Sequence, residues 1–197
     1  RDCDGHQAAA DRLMQQKCDF LISYESTSIR PNDNLLKFDS LTLSSDMLIP
    51  VCTNTLQTDL QIKLPVSAGS SYPYIGYRLS CFIGIALSEL FNSTDQKPGL
   101  EKRYESACAE QIKNMVRQGF GVAWLNQLSI AQELKSGQLI CIGDNHYHLP
   151  LAIKIYRNRS NNKADVMRTW NALAGIYSHQ PRMDNTNPSL MARNKGP

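Results

Sequence analysis

Short apolar runs separated by stretches of helical period dominate this chain, and that alternation restricts its fold more than any other feature. "CDFLIS", "PYIGY", "FGVAWL", "QLICI" and "LPLAIKIYRN" each read as a strand bounded by polar or turn residues. Between them lie segments whose apolar residues recur at three and four. Strand, helix, strand, helix in repetition predicts an α/β fold, with parallel sheets covered by helices.

Further elements follow from local chemistry. "HQAAADRLMQQK" is helical, with Ala9, Leu13 and Met14 on one face. "LLKFDSLTLSSDMLIPVC" is extended, alternating early and apolar late, with Pro50 suited to a strand end or a crossover. Thr53 or Asn54 caps the helix "TNTLQTDLQI". Ser80 is the expected cap of "CFIGIALSELF", and Ser106 that of "ACAEQIKNMVRQ" after the strand "LEKRYES". In the latter helix Ala109, Ile112, Met115 and Val116 form one apolar face. "NQLSIAQELKS" is a capped helix stopped by Gly137, and "KADVMRTWNALAGIY" is a closing amphipathic helix. Residues 179–197 show no period and read as a disordered tail.

The glycine pair in "RQGFGVAWL" is not a dinucleotide fingerprint, which needs G-x-G-x-x-G after a strand and opening a helix. Here the pair follows a helix and opens a strand. Gly119 is expected to end the helix in a left-handed conformation, and Gly121 to let the strand approach its neighbour closely.

Composition narrows the function. At 197 residues, with 42% hydrophobic and 20% charged, the chain can build one large domain or two small ones. The net charge is only +3 and Lys and Arg are scattered, which gives no support for direct DNA binding by these residues. No stretch approaches the roughly 20 apolar residues of a membrane span, so a soluble chain with no membrane contact is expected. The sequence starts at Arg1 without a methionine, which points to a fragment. Its six cysteines are spread without a C-x-x-C pattern, and free thiols in a reducing cytoplasm are expected.

The pieces, in order, resemble the effector domain of LysR-type transcriptional regulators. "VRQGFGVAWLNQLSIAQELKSGQLICI" resembles that domain's second half, where a helix runs into a G-x-G strand, a short helix and a second strand. "LMQQKCDFLIS" resembles the family's L-x-x-G-x-x-D segment, and "SSDMLIPVC" its crossover. "LPLAIKIYRNRSNNKADVMRTWNAL" resembles its returning strand and last helix. The wording "DFLISY", "PVC" and "GVAWL" is most similar to the hypochlorite-responsive branch. The winged helix-turn-helix is unmatched here, as are the effector domain's first strand and helix and most of its second strand. The family's usual proline after the apolar strand is replaced by Asn126, which can cap the next helix.

The resemblance implies two Rossmann-like subdomains joined by two crossover strands, like a periplasmic binding protein. Residues 1–50 and 146–178 would form subdomain I, incomplete at its N-terminus, and residues 51–145 subdomain II. A cleft between them would take a small molecule or sense an oxidant such as hypochlorous acid or peroxide. A cytoplasmic homodimer or homotetramer would result, reaching promoter DNA through an N-terminal domain not in this chain. The helix at residues 107–118 is a candidate contributor to the interface between copies.

In open α/β sheets ligands sit beyond the carboxyl ends of strands, where helix N-termini favour anions and thiolates. That selects Tyr24, Glu25, Ser26, Tyr77, Arg78, Ser80, Cys81, Ser106, Ala107 and Cys108. The resemblance adds Gly121 at the start of its strand. Cys81 and Cys108, each at a predicted helix start, are redox candidates. The plain alternative is a small apolar residue packed under the helix, and that is the expectation for Cys18, Cys52 and Cys141. His146 and His148 read as polar hinge residues, since two imidazoles without a third ligand rarely hold a metal. Trp124 and Trp170 read as core or interface anchors. No metal or cofactor is expected, and no spacing links a Ser-His-Asp set, a carboxylate pair or a P-loop, so an enzyme is not expected. A solute-binding protein serving a transporter is the alternative, since fold does not fix function.

Overall fold

A computed structural model describes residues 6–26, 35–65, 70–93 and 99–177. The expected tail at residues 179–197 lies outside the described residues. In chain order the strands are β1 (Phe20–Glu25), β2 (Asp39–Thr53), β3 (Tyr72–Tyr77), β4 (Leu100–Ser106), β5 (Ala123–Asn126), β6 (Leu139–Cys141) and β7 (Leu149–Arg157). The α-helices are α1 (His6–Met14), α2 (Asn54–Leu60), α3 (Phe82–Ser93), α4 (Ala109–Arg117), α5 (Ala131–Ser136) and α6 (Ala164–Tyr177).

The fold is α/β in two halves that share one pair of long strands. β2 runs fifteen residues. Its first part, Asp39 to Leu48, pairs antiparallel with β7. Its last part pairs antiparallel with β5 at Leu48–Asn126 to Val51–Ala123, and with β6 at Val51–Cys141 to Thr53–Leu139. β1 lies on the other edge of β7, also antiparallel. A crossover pair explains the "alternates early, apolar late" pattern. β2 is half exposed where it pairs with β7 alone, and buried from Leu48 onward where strands flank it on both sides.

The expectation of parallel sheets holds for only part of the molecule. β3 and β4 are parallel, and a parallel bridge from Tyr74 to Val122 continues that sheet toward β5. The β1–β7–β2 ladder is antiparallel, because β2 leaves one half and β7 returns to it. Alternation of strand and helix carries no mark that distinguishes a returning strand from one wound in parallel.

Two apolar cores match the two halves. The larger one gathers Val51, Ile75, Leu87, Ile112, Trp124 and Ile130 around β3, β5 and helices α3 and α4. The smaller holds Ala10, Leu13, Leu35, Phe38 and Tyr156, with Cys18 and Leu21 against it. Trp124 is a core anchor. It is fully buried, its indole N–H donates to the Tyr147 carbonyl at 2.7 Å, and Tyr74 and Phe91 meet it edge-on. Trp170 stacks on Phe20 and lies under the Arg157 guanidinium, 5.2 Å from ring centre to Cζ.

Helix ends decide where the functional groups point. Thr53 is the cap of α2, its hydroxyl accepting from the Leu56 N–H at 3.2 Å. α3 opens one residue later than expected: the Ile85 N–H donates to the Cys81 carbonyl, so Cys81 and not Ser80 holds the cap position. α4 likewise opens at Cys108, not Ser106. The Ser106 hydroxyl instead accepts from the Cys108 N–H at 3.0 Å and donates to Gln111 at 2.7 Å. α4 ends in a Schellman motif, with Gly119 at φ 81°, its N–H on the Val116 carbonyl and the Phe120 N–H on Met115. At Gly121 a Cβ would stand 2.6 Å from the Pro73 carbonyl oxygen, so only glycine lets this segment run beside β3.

Asn126 departs from expectation. It precedes the 3-10 turn Gln127–Ile130, but its side chain makes no capping bond, and its amide nitrogen is buried without a partner. Asp46 of β2 does that work from across the sheet. One of its oxygens accepts from the Leu128 N–H at 3.1 Å and from the Met47 N–H at 2.7 Å.

Candidate functional site

A cavity of about 400 Å³ lies where the two halves face each other. One wall is β1, through Leu21, Ile22, Ser23 and Tyr24, with Ala9 of α1 beside it. The facing wall is built at the carboxyl ends of β3 and β4 by Tyr77, by Cys81, Phe82 and Ile83 at the start of α3, and by Ala107 and Ala109 at the start of α4. The parallel pairing of β3 and β4 sets those two helix starts side by side. The Arg78 N–H donates to the Ser106 carbonyl at 3.1 Å, locking the strand ends in register. Helix N-termini present N–H groups that no carbonyl of their own helix accepts from.

Tyr77 is the distinctive polar group of this wall. It is 5% exposed, and its hydroxyl has no hydrogen-bond partner among the described residues. Burial pushes its phenol well above the ordinary tyrosine range, with Cys81, Tyr74, Tyr24 and Cys108 adding to the effect, so it stands there as an O–H. Burial first, and then the Asp46 carboxylate, also raise Tyr24 on the opposite wall. The Cys81 thiol donates to the Arg78 carbonyl at 3.1 Å.

Of the residues selected from sequence, Tyr24, Tyr77, Cys81 and Ala107 line the cavity. The others do not. The Glu25 carboxylate is held by Lys154 at 2.5 Å and by the Tyr156 hydroxyl. Ser26 and Ser106 are buried, and Ser106 organises the start of α4. Arg78 and Ser80 are exposed. Cys108 is half-buried at the cap of α4 and lies close enough to Tyr77 to act on its phenol. Gly121 sits against β3. The sequence reading missed Ala9, Leu21, Ile22, Ser23, Phe82, Ile83 and Ala109, because it looked only at residues just past strand ends and at helix starts, and most of these look like ordinary core.

The described cysteines are all free. Cys52 is buried, and burial pushes its thiol up to about 12. Cys141 departs from the expected core position: it is exposed, at the end of β6, with its sulfur 3.4 Å from the His148 ring. Burial drives the Cys141 thiol up and the His148 imidazole down, so the pair is neutral. His146 and His148 do not share an extended face. A 3-10 turn, Asn145–Tyr147, intervenes, and His146 turns outward to Asp144 at 3.1 Å. Among the described residues no group of three or more His, Cys, Asp and Glu gathers as metal ligands.

The family model described as the LysR substrate binding domain matches residues 3–174. The HTH-type transcriptional regulator YjiE of Escherichia coli K12 is 23% identical over 167 residues, covering 84% of this chain and 52% of that protein. The HTH domain-truncated transcriptional regulator QseD of Escherichia coli O157:H7 is also 23% identical, over 84% of this chain and 65% of that one. The chain thus spans about half to two thirds of the length of these relatives. The full-length structure of HypT from Salmonella typhimurium, a hypochlorite-specific LysR-type transcriptional regulator, shares the fold. Its TM-score is 0.75 at 23% identity, over 89% of this chain and 57% of that one. The two-lobed α/β architecture, the crossover strand pair and the match over residues 3–174 place this chain in the LysR substrate-binding domain family.

Proposed function

We propose that this chain is the effector-sensing and oligomerisation part of a LysR-type transcriptional regulator. Residues 1–50 and 146–178 form one subdomain and residues 51–145 the other, and β2 and β7 are the hinge. The cavity between β1 and the starts of α3 and α4 is the effector site. The single observation that supports this most directly is the buried, unpartnered Tyr77 hydroxyl at that cavity. A ligand there touches both halves at once and favours one relative arrangement of them, which is what a sensor needs. Through a homodimer or homotetramer, that arrangement changes how DNA-binding domains outside this chain sit on a promoter.

A second reading concerns oxidants, and it rests on Cys81 at the cavity wall together with the hypochlorite-specific regulator among the structural neighbours. Family membership favours regulation over transport. No helix among the described residues is long and apolar enough to cross a membrane, in keeping with action in the cytoplasm. The test is promoter binding by the complete protein, followed by fluorescence anisotropy with and without candidate effectors or a brief oxidant pulse. A change in affinity of fivefold or more, abolished by filling the cavity with Ala107→Trp, is the expected result. No change with any effector or oxidant would overturn the reading.

A further inference from the structure

We propose that the cavity selects a compact, uncharged, ring-bodied molecule carrying one oxygen acceptor for the Tyr77 hydroxyl. This rests on the reading of the cavity as the effector site and deepens it by naming the ligand class.

Three observations converge. First, among the described residues that line it there is no Lys, Arg, His, Asp or Glu. Beside the lining residues in the chain, Glu25 is tied to Lys154, and Arg78 and Glu110 are exposed. An anion entering here finds two helix starts and no countercharge, and burying a charge without a partner is strongly unfavourable. Second, the walls are apolar and aromatic. Leu21, Ile22 and Ile83 supply aliphatic surface, while Tyr24, Tyr77 and Phe82 supply ring faces around about 400 Å³. That volume lies toward the small end of ligand sites, and flat rings pack well against such faces. Third, Tyr77 offers one O–H that the protein leaves unsatisfied. A site built to hydrogen-bond one group discriminates strongly against analogues that lack it.

The experiment is equilibrium dialysis of the full 197-residue chain against four probes: acetophenone, toluene, benzoate and inorganic phosphate. Acetophenone is expected to bind most tightly, with benzoate weaker by about tenfold or more and phosphate not bound. Tyr77→Phe should weaken acetophenone by about tenfold, the effect of one lost hydrogen bond, and leave toluene unchanged. A second variant covers the case in which Tyr77→Phe fails to fold. Ala109 is exposed at the rim, and Ala109→Lys should reverse the order of benzoate and acetophenone by supplying the missing cation.

Tighter binding of benzoate or phosphate than of acetophenone by the unaltered chain overturns the proposal. So does an equal loss of toluene and acetophenone on Tyr77→Phe, or no binding of either ring compound. The two levels remain separable. Ring binding as expected without any effect on promoter affinity sinks the regulatory reading and keeps the ligand class. An unrelated effector that shifts promoter affinity while ring compounds fail does the reverse.

Discussion

Replacing Asp46 tests whether the hinge strand holds the second half in place. Asp46 is 9% exposed on β2, and one carboxylate oxygen accepts from its neighbour Met47 and from Leu128, 82 positions further along the chain. Asp46→Ala removes both hydrogen bonds. A hydrogen bond to a charged group contributes about 1.5–3 kcal/mol, and loss of a helix cap costs about 0.5–2 kcal/mol. Leu128 is 61% exposed, so water can reach its amide once the carboxylate is gone. The total is therefore set nearer the low end, at about 2–3 kcal/mol. For a chain of this size that lowers the melting temperature by about 5–10 °C. Asp46→Asn keeps a neutral acceptor and should lose about half as much. Urea and thermal melts give the stability, and amide hydrogen exchange at Leu128 gives the local effect. Tyr24 supplies a third readout: its raised phenol, due to burial and then to Asp46, should titrate lower in the alanine variant. An unchanged Leu128 exchange rate together with wild-type stability in Asp46→Ala would refute the cross-sheet cap.

Other expected outcomes follow from single contacts. Gly121→Ala forces a Cβ to 2.6 Å from the Pro73 carbonyl oxygen and should cost about 1–3 kcal/mol, read as a lowered urea midpoint. After a brief hypochlorous acid or peroxide pulse, peptide mass spectrometry should find Cys81 or Cys108 modified ahead of the buried Cys52; uniform labelling of all three speaks against a selective thiol. Glu133 accepts from Lys113 at 3.0 Å, and that bond holds its carboxyl below the usual value of 4.5. Its contribution is therefore present above pH 4.5 and lost as pH falls through the lower folded value. Glu133→Gln should flatten the acid limb of the stability curve, and an unchanged limb would exclude the pair as a contributor.

Elements were legible in the sequence to the extent that their signals were local. Apolar runs placed β1, β2, β3, β5, β6 and β7, the Gly119 turn could be read from residue type and position alone, and the cap of α2 was narrowed to Thr53 or Asn54. What was not legible depends on groups far apart in the chain. Ser80 and Ser106 have good capping chemistry, yet the helices open at Cys81 and Cys108. Tyr77 and Arg78 end β3 by pairing with Ser106, and that pairing fixes where the turn completes. Asn126 looks like a cap, but Asp46, eighty residues earlier in the chain, has already taken the amide it would need. At the cavity, four of the eleven candidates, Tyr24, Tyr77, Cys81 and Ala107, line the walls, while the apolar walls were invisible because a lining leucine and a core leucine have the same signature.

The same arrangement explains how a ligand could be felt beyond the cavity. β1 contributes Leu21 to the smaller core and Tyr24 to the larger, so this one strand already spans both halves. Tyr77 belongs wholly to the larger core. In the proposed reading, filling the space between β1 and Tyr77 adds apolar contact across the gap and gives the Tyr77 hydroxyl an acceptor, and both gains require the halves to be closed on the ligand. The connection that must bend in that reading is where β2 passes from β7 to β5 and β6, at Leu48 to Val51. The register shift between Thr42 and Ser44 lies within the half that holds β1, where a bulge increases the local twist of the ladder. In that reading closure is set against deformation of a short strand segment rather than the rupture of either core.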